Sequence, residues 1–96
     1  MKHIRCNVIK REDRQEDGYS YTYELLLRRG EKTADFGLSL YSVRISMTDA
    51  DGRRSFREAT DLFANDTQAT EFFDRLVRNL ATPIDLGYVV EDEVRS

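Results

Sequence analysis

Apolar and polar residues alternate along most of the first two thirds of the chain, a pattern typical of strands that bury one face. The clearest case is YSYTYELLLRR at residues 19–29, in which one face carries Tyr19, Tyr21, Tyr23, Leu25 and Leu27. HIRCNVI at residues 3–9 repeats the pattern, and its predicted buried face carries Ile4, Cys6 and Val8. Between these two predicted strands, we interpret the charged stretch KREDRQEDG as a turn or short loop that ends at Gly18.

A third alternating segment, FGLSLYSVRISM at residues 36–47, changes phase partway along. Its apolar residues occupy first even and then odd positions: Phe36, Leu38 and Leu40, then Tyr41, Val43, Ile45 and Met47. Because a shift of one residue turns every later side chain to the other face, we predict a β-bulge or sharp bend near Leu40 to Ser42. Asp51-Gly52 then fits a tight hairpin turn, and SFREATDLF at residues 55–63 is interpreted as a shorter fourth strand.

The period changes from two to that of a helix after residue 64. In NDTQATEFFDRLVRNLA, helical spacing joins Ala69, Phe72, Phe73, Leu76, Val77 and Leu80. Asn65 is suited to the N-cap, so we predict an amphipathic helix over about residues 66–81. Thr82-Pro83 is a second start signal, which predicts a short helix over about residues 83–93, with an extended arm as the alternative. Gly87 weakens this helix by about 1 kcal/mol relative to alanine.

Together these elements predict an α+β fold and a single domain over residues 1–96. Four antiparallel strands in a β-meander present one apolar face, which the long C-terminal amphipathic helix and the short final helix cover. An open sheet of this kind has two edges, so self-association through edge strands is one expected mode of assembly.

Charge and composition narrow the classes of partner. The chain has 15 Lys and Arg residues against 18 Asp and Glu, a net charge of −3, which disfavours nucleic acid and anionic membrane surfaces as partners. It shows no leader and no apolar run near the ~20 residues of a membrane span, which leads us to expect a cytoplasmic protein. Cys6 is the single cysteine, so the chain forms no internal disulfide and no metal site with paired thiols.

Residues that could carry catalysis are sparse. His3, the single histidine, lies beside the N-terminus, and no phosphate-binding glycine loop is present. Glu91, Asp92 and Glu93 are consecutive, so on a helix their side chains point roughly 100° apart and do not converge on one metal or substrate atom. We therefore expect no enzymatic activity, no cofactor, and no catalytic or metal-binding residue.

Two charged clusters are candidates for contact with a protein partner. Glu91, Asp92 and Glu93 fit poorly with the negative end of a helix dipole, so a basic partner could offset them. Three arginines, Arg53, Arg54 and Arg57, suit bidentate contacts with an acidic partner. Four nearby acids are expected to neutralise these arginines: Asp49, Asp51, Glu58 and Asp61. The sequence thus favours a non-enzymatic interaction or regulatory module with an unidentified protein partner.

A small-ligand-binding domain is the alternative function. Its pocket would lie between the sheet and the long helix, lined by Tyr19, Tyr21, Tyr23 and Phe72. The tyrosines share their predicted face with Leu25 and Leu27, which favours packing in the core over a stacking platform for bases.

Two stretches of the sequence resemble a known family. YTYELLL with DFGLSLYSV, and the ending TPIDLGYVVEDEV, are similar to short uncharacterised bacterial proteins, found mainly among clostridia and related Firmicutes, known only as a domain of unknown function. The family's aromatic-Gly-aliphatic step is matched by Phe36-Gly37-Leu38, and its ending by Pro83, Leu86, Val89, Val90, Glu91 and Asp92. The resemblance covers residues 21–93 and implies no activity, cofactor or catalytic residue. Its members often carry His at the position of Asp85, so we assign no role to that residue.

Overall fold

A computed structural model describes residues 5–29 and 39–95 of the chain. Its elements in order are β1 (Arg5–Glu16), β2 (Tyr19–Arg29), β3 (Ser39–Thr48), β4 (Arg54–Phe63), α1 (Asp66–Arg78) and α2 (Pro83–Arg95). The strands form one sheet in the order β1-β2-β3-β4, and every neighbouring pair is antiparallel. The predicted α+β class and four-stranded meander are confirmed, whereas Ile4 and the Phe36-Gly37-Leu38 step lie outside the described residues.

The charged stretch before Gly18 is a strand, so the loop predicted there is wrong. Arg11 to Glu16 pair with Glu24 to Tyr19 in an unbroken register. Only Asp17 and Gly18 form the turn, with φ angles of 52° and 83° that match a two-residue hairpin loop. β1 is an edge strand, and its side chains from Asn7 to Glu16 are exposed or only partly buried on both faces, so this part needs no apolar alternation.

The apolar end of β1 also differs from the prediction. Val8 and Ile9 are 47% and 49% exposed, although the alternation placed Val8 on the buried face. The register shifts between Val8 and Lys10, so Ile9 is the additional residue of a bulge. A bulge reverses the face that later residues present, and Val8 consequently lies opposite Leu26, on the side of the sheet away from Tyr23 and Leu25.

The irregularity predicted near Leu40 to Ser42 is found at that level of the sheet, but on the neighbouring strand. The register between β2 and β3 is continuous. Between β3 and β4 it shifts from the pair Tyr41 and Phe63 to the pair Val43 and Ala59, which places the additional residues in β4. Asp61 has a φ angle of 54°, and its N–H donates to the hydroxyl of buried Ser42 at 2.9 Å. β4 is 10 residues long, as is β3, so it is not the shorter strand that was predicted.

The hairpin between β3 and β4 is confirmed at Asp51-Gly52. Gly52 has a φ angle of 86°, and its N–H donates to the carbonyl of Asp49 at 3.0 Å. The Asp49 carboxylate accepts the N–H groups of Asp51 and Arg53, each at 2.9 Å. The Asp49 N–H donates to the carbonyl of Arg53 at 2.9 Å, which closes the three-residue loop. Asp49 therefore acts as a hairpin residue.

The core lies between one face of the sheet and the two helices. The sheet contributes Tyr23, Leu25, Val43 and Ile45, and α1 contributes Ala69, Phe72, Phe73, Leu76 and Val77. Ala81 and Leu86 complete the buried cluster. All five of these α1 residues are among those whose helical spacing identified the apolar stripe, because that spacing brings them to one side of the helix.

The two helices have the same length, 13 residues, so the prediction of one long and one short helix is wrong. α1 begins as predicted, with the Asn65 side chain accepting the N–H of Gln68 at 2.9 Å. It ends at Arg78, before the predicted residue 81, because Leu80 turns to a φ angle of 50°. The N–H groups of Ala81 and Leu80 then donate to the carbonyls of Leu76 and Val77, the two bonds of a Schellman motif.

α2 begins with a reciprocal cap. The Thr82 hydroxyl accepts the N–H of Asp85 at 3.2 Å, and the Asp85 carboxylate accepts the N–H of Thr82 at 3.0 Å. Pro83 occupies the first helical position, as predicted, where the missing N–H costs no intrahelical bond. This cap gives Asp85 a structural role that sequence reasoning did not assign. Neither helix in the described ranges combines the length and apolar character needed to cross a membrane.

Candidate interaction surface at the sheet edge

The tyrosines of β2 form a ladder that runs from the core to the surface. Ring centroids are 6.3 Å apart between Tyr23 and Tyr21, and 6.4 Å apart between Tyr21 and Tyr19. Tyr23 is fully buried, and its hydroxyl donates to the carbonyl of Ala81 at 2.8 Å. Burial raises the pKa of Tyr23 to about 12, and Tyr21 adds to the shift. Tyr21 is half-buried and Tyr19 is exposed, so the ladder becomes accessible only at its far end.

An apolar cleft of about 310 Å³ opens beside the exposed end of this ladder. It lies between the hairpin end of the sheet and the start of α2, and its lining consists of Tyr19, Tyr21, Met47, Ser55, Phe56, Arg57, Thr82, Pro83 and Ile84. Of the four residues predicted to line a ligand pocket, Tyr19 and Tyr21 are in this cleft. Tyr23 and Phe72 lie in the core instead, where Phe72 packs against Phe63 with ring centroids 5.3 Å apart.

Three large apolar side chains are strongly exposed along the edge strand β4 and the adjoining helix α2. Phe56 is 70% exposed, Ile84 71% and Tyr88 68%. Phe56 and Ile84 line the same cleft, and Ile84 and Tyr88 line the neighbouring depression with Arg57. We refer to Arg54, Phe56, Arg57, Ile84 and Tyr88 as the β4–α2 surface, which extends around the edge of the sheet: Arg54 and Phe56 are on the face of Glu58, and Arg57 is on the face that α2 covers. The spacing of Ile84 and Tyr88, one helical turn apart, marks a second apolar side of α2 that the sequence analysis missed.

Three of the four acids expected to neutralise the arginine cluster are engaged elsewhere, and the fourth, Asp51, forms no salt bridge within the described residues. Glu58 accepts from the guanidinium of Arg44 at 3.1 Å, and Asp61 accepts from that of Arg28 at 2.6 Å. Asp49 holds the hairpin, as described above. Within residues 5–29 and 39–95, no salt bridge includes Arg53, Arg54 or Arg57. The predicted neutralisation is therefore wrong, and the guanidinium groups remain exposed at the edge of the sheet.

Gly87 brings Arg57 against the backbone of α2. A Cβ atom at position 87 would lie 2.9 Å from Nη1 of Arg57, closer than real Cβ contacts allow. The sequence indicated Gly87 only as a weak point of the helix, whereas its missing side chain provides the space for this guanidinium. Arg57 is thereby placed beside Ile84, Tyr88 and Glu91.

The opposite face of the sheet carries a ladder of alternating charges. Arg11, Glu24, Arg44 and Glu58 are successive partners across the four strands. The guanidinium of Arg44 bridges the carboxylates of Glu24 and Glu58, each at 3.1 Å. The hydrogen bond to Glu58 raises the pKa of Arg44, and the charge of Glu24 acts in the same direction. This face is therefore stabilised by paired charges.

The acidic residues near the end of α2, Glu91, Asp92 and Glu93, do not form one cluster. Glu93 accepts from the guanidinium of Arg75 at 2.6 Å and so joins α2 to α1. Glu91 lines the depression next to Arg57, and Asp92 is exposed. Among the residues that the structure describes, no group of His, Cys, Asp or Glu side chains is arranged to hold a metal ion.

Comparison with known proteins assigns the chain to a family. The model of a family of unknown function, DUF6514, matches residues 2–96, and the chain belongs to that family. The match agrees with the family type that the sequence resembles, a domain of unknown function. Searches of curated proteins and of solved structures each gave no significant match.

Proposed function

We propose that this member of the DUF6514 family is a non-enzymatic protein-interaction module that binds its partner through the β4–α2 surface. The observation that carries the proposal is the grouping of Phe56, Ile84 and Tyr88, each about 70% exposed, around Arg57. Large exposed apolar side chains grouped at one edge of a protein are unfavourable in water, and such groups commonly mark interaction sites. Aromatic residues and arginine are also the residue types enriched in protein interfaces.

The groups with perturbed pKa values support a structural rather than a chemical role for the polar interior. Tyr23 has a raised pKa because it is buried, and its hydroxyl ties β2 to the segment between the helices. Arg44 has a raised pKa because it is held by Glu58 and Glu24. Both side chains connect elements of the fold, and both lie outside the cleft next to Ile84.

Site-specific photo-crosslinking in the native host tests this proposal. A benzophenone amino acid at position 56 or 88 should crosslink to protein, because both side chains point into solvent on the proposed surface. The matched control is the same substitution at Glu71, which is exposed on α1. Crosslinking from 56 and 88 but not from 71 supports the proposal, and equal yields from all three positions contradict it.

Binding of a small aromatic acid in the cleft is the second candidate function. It is favoured by the cleft's volume of about 310 Å³, its apolar lining, and the presence of Arg57 among the lining residues. Pockets for small molecules typically combine an apolar lining with a few polar groups that fix orientation. Benzoate and indole-3-acetate should raise the melting temperature of the protein, and their uncharged amides should raise it less. Replacing Ser55 by Phe fills the cleft and should abolish the shift, and a shift that persists in this variant contradicts cleft binding.

A further inference from the structure

Some main-chain N–H and C=O groups of β4 point to solvent at the outer edge of the sheet. The hydrogen bonding of the β3–β4 hairpin determines which residues carry them. The pair Asp49 and Arg53 is hydrogen-bonded. Bonded and non-bonded pairs alternate along an antiparallel ladder, so the pairs containing Arg54, Phe56 and Glu58 are of the non-bonded type. The N–H and C=O groups of these residues therefore point away from β3. All residues from Arg54 to Glu58 are exposed, and the bulge at Asp61 ends the regular part of this edge.

We infer that the partner of the β4–α2 surface is a second copy of this chain, paired β4 to β4 in antiparallel fashion about a two-fold axis at Phe56. This inference rests on the proposed interaction function and names its partner. In this register Phe56 lies opposite Phe56 of the second copy, and Arg54 lies opposite Glu58 in both directions. Each of these pairs can exchange both of its N–H···O bonds, so every outward main-chain group of Arg54, Phe56 and Glu58 is satisfied.

Charge selects this register over its neighbours. A two-fold axis perpendicular to the sheet must keep even residues opposite even residues, because Arg54, Phe56 and Glu58 carry the outward main-chain groups, and the axis therefore passes through a residue pair of equal number. An axis at Arg57 would place two guanidinium groups side by side, and an axis at Glu58 would place two carboxylates side by side. Directly opposed like charges are destabilising, whereas opposite charges stabilise a strand pair. Only the axis at Phe56 places Arg54, which has no salt bridge within the described residues, against a carboxylate.

The helices add an apolar contact to the strand pairing. α2 packs on β4, and Leu86 and Val90 line a depression together with Arg57 and Ala59. In the proposed pair, the two α2 helices lie on the same face of the joined sheet, on either side of the axis. Ile84 and Tyr88, which are exposed beside Arg57, then face the equivalent side chains of the second copy. Apolar side chains of the β4–α2 surface that are exposed in one chain are thus covered in the pair.

Charge exchange between Arg54 and Glu58 tests the register in the full chain. Arg54→Glu places two carboxylates opposite each other in both outer pairs, and Glu58→Arg places two guanidinium groups there, so each variant alone should dissociate about 30-fold more readily. An equimolar mixture of the two variants restores opposite charges in both pairs and should form a heterodimer. The control is Arg53→Glu, an exposed arginine outside the proposed pairs, which should leave the dimer intact. Mass is measured by light scattering and sedimentation, with 11.2 kDa as the mass of one chain.

A dimer that is lost in both single variants and recovered on mixing supports the inference. A wild-type chain that stays monomeric at millimolar concentration, or an unaffected Arg54→Glu dimer, overturns it. Glu58 also binds Arg44, so circular dichroism checks the fold of Glu58→Arg, and Arg54→Glu tests the register independently of that contact. A monomer whose position 56 crosslinks to a different protein overturns self-pairing and leaves the proposed function standing. A monomer without any crosslink at position 56 overturns both.

Discussion

The two edge strands of the sheet differ in how strongly they resist pairing with a strand of another chain. β1 carries charges on both faces, several of them paired: Arg11 with Asp13, Arg14 with Glu12, and Lys10 with Asp74. It also has a bulge at Ile9. β4 instead exposes Phe56 and arginines without a salt bridge in the described parts of the chain, and α2 lies alongside it. Charges and bulges block strand addition at an edge, whereas an apolar edge invites it. β1 also exposes Val8 and Ile9, and β4 has a bulge near Asp61, so the difference lies in the regular parts of the two edges. Residues 11–16 of β1 are charged at every position except Gln15, whereas residues 54–58 of β4 are centred on Phe56, so we call β1 the closed edge and β4 the open one.

The largest expected effect on stability comes from truncating Leu86, the buried side chain through which α2 packs in the core next to β4. Leu86 is fully buried, so Leu86→Ala should lower the free energy of unfolding by about 2–5 kcal/mol. Denaturant unfolding measures the loss, and hydrogen exchange should show more opening in β4 than in β1. Ile84→Ala, measured at a concentration at which the chain is monomeric, is the matched control, because the side chain is 71% exposed in one chain and its loss there should change stability by less than about 0.5 kcal/mol. Equal exchange increases at both edges would contradict the dependence of β4 on α2.

Unfolding at high pH tests the burial of Tyr23 in the core between the two edge strands. Tyr23 has a pKa of about 12 in the folded protein, above its ordinary value of 10.0, so the neutral form is favoured on folding. The resulting stabilisation is present in full below pH 10. As the pH rises to 12, the free energy of unfolding should fall by about 2–3 kcal/mol. Urea unfolding at several pH values measures the slope. Tyr23→Phe should remove this part of the pH dependence, at a cost of about 1 kcal/mol at neutral pH for the lost bond to Ala81. An unchanged slope in the variant would show that another group titrates.

Gly87 tests how closely α2 must approach the β4 edge. Gly87→Ala should stabilise α2 by up to about 1 kcal/mol through helix propensity, because the guanidinium of Arg57 is the end of a flexible chain and can move. The displaced Arg57 no longer lies against the helix, so crosslinking from position 56 should fall although stability rises. In an Arg57→Ala background the stabilisation should be larger, since no contact remains to be displaced. A destabilised Gly87→Ala would show that Arg57 is rigidly held.

The smallest effect is expected at the closed edge. Lys10 contacts Asp74 at 2.8 Å, and its ammonium lies 5.5 Å from the ring centroid of Phe73. Both charged side chains are partly exposed, so a double-mutant cycle with Lys10→Met and Asp74→Asn should give a coupling of about 0.2–1 kcal/mol. The coupling should shrink as salt is raised. A coupling that does not change with salt would indicate that packing on Phe73, rather than charge, joins β1 to α1.

Sequence reasoning predicted the elements whose periodicity is imposed by burial. β2 and the start of α1 were located closely because each must present one apolar side to the same core. The charged half of β1 was misjudged because neither of its faces is buried, so nothing requires apolar residues at alternate positions. The displacement of the predicted bulge onto β4 depends on a hydrogen bond between Ser42 and Asp61, which are 19 positions apart.

The candidate surface was predicted only in part, for a similar reason. Arg53, Arg54 and Arg57 were identified by their residue type, but their lack of acid partners depends on the register that pairs Glu58 with Arg44. Phe56, Ile84 and Tyr88 were missed because their exposure depends on where α2 lies against the edge strand. Asp85 was left without a role because members of the family that the sequence resembles often carry His at that position, whereas here its carboxylate accepts the N–H of Thr82.

The bulge at Ile9 also affects how many chains can join one continuous sheet. A sheet with two open edges can add copies without limit and form a filament. In the proposed pair both β4 edges are paired, and the outer edges of the joined sheet are two copies of β1, each interrupted by the bulge at Ile9 and highly charged from Lys10 to Glu16. Because the contact is isologous and the remaining margins resist addition, assembly stops at two chains.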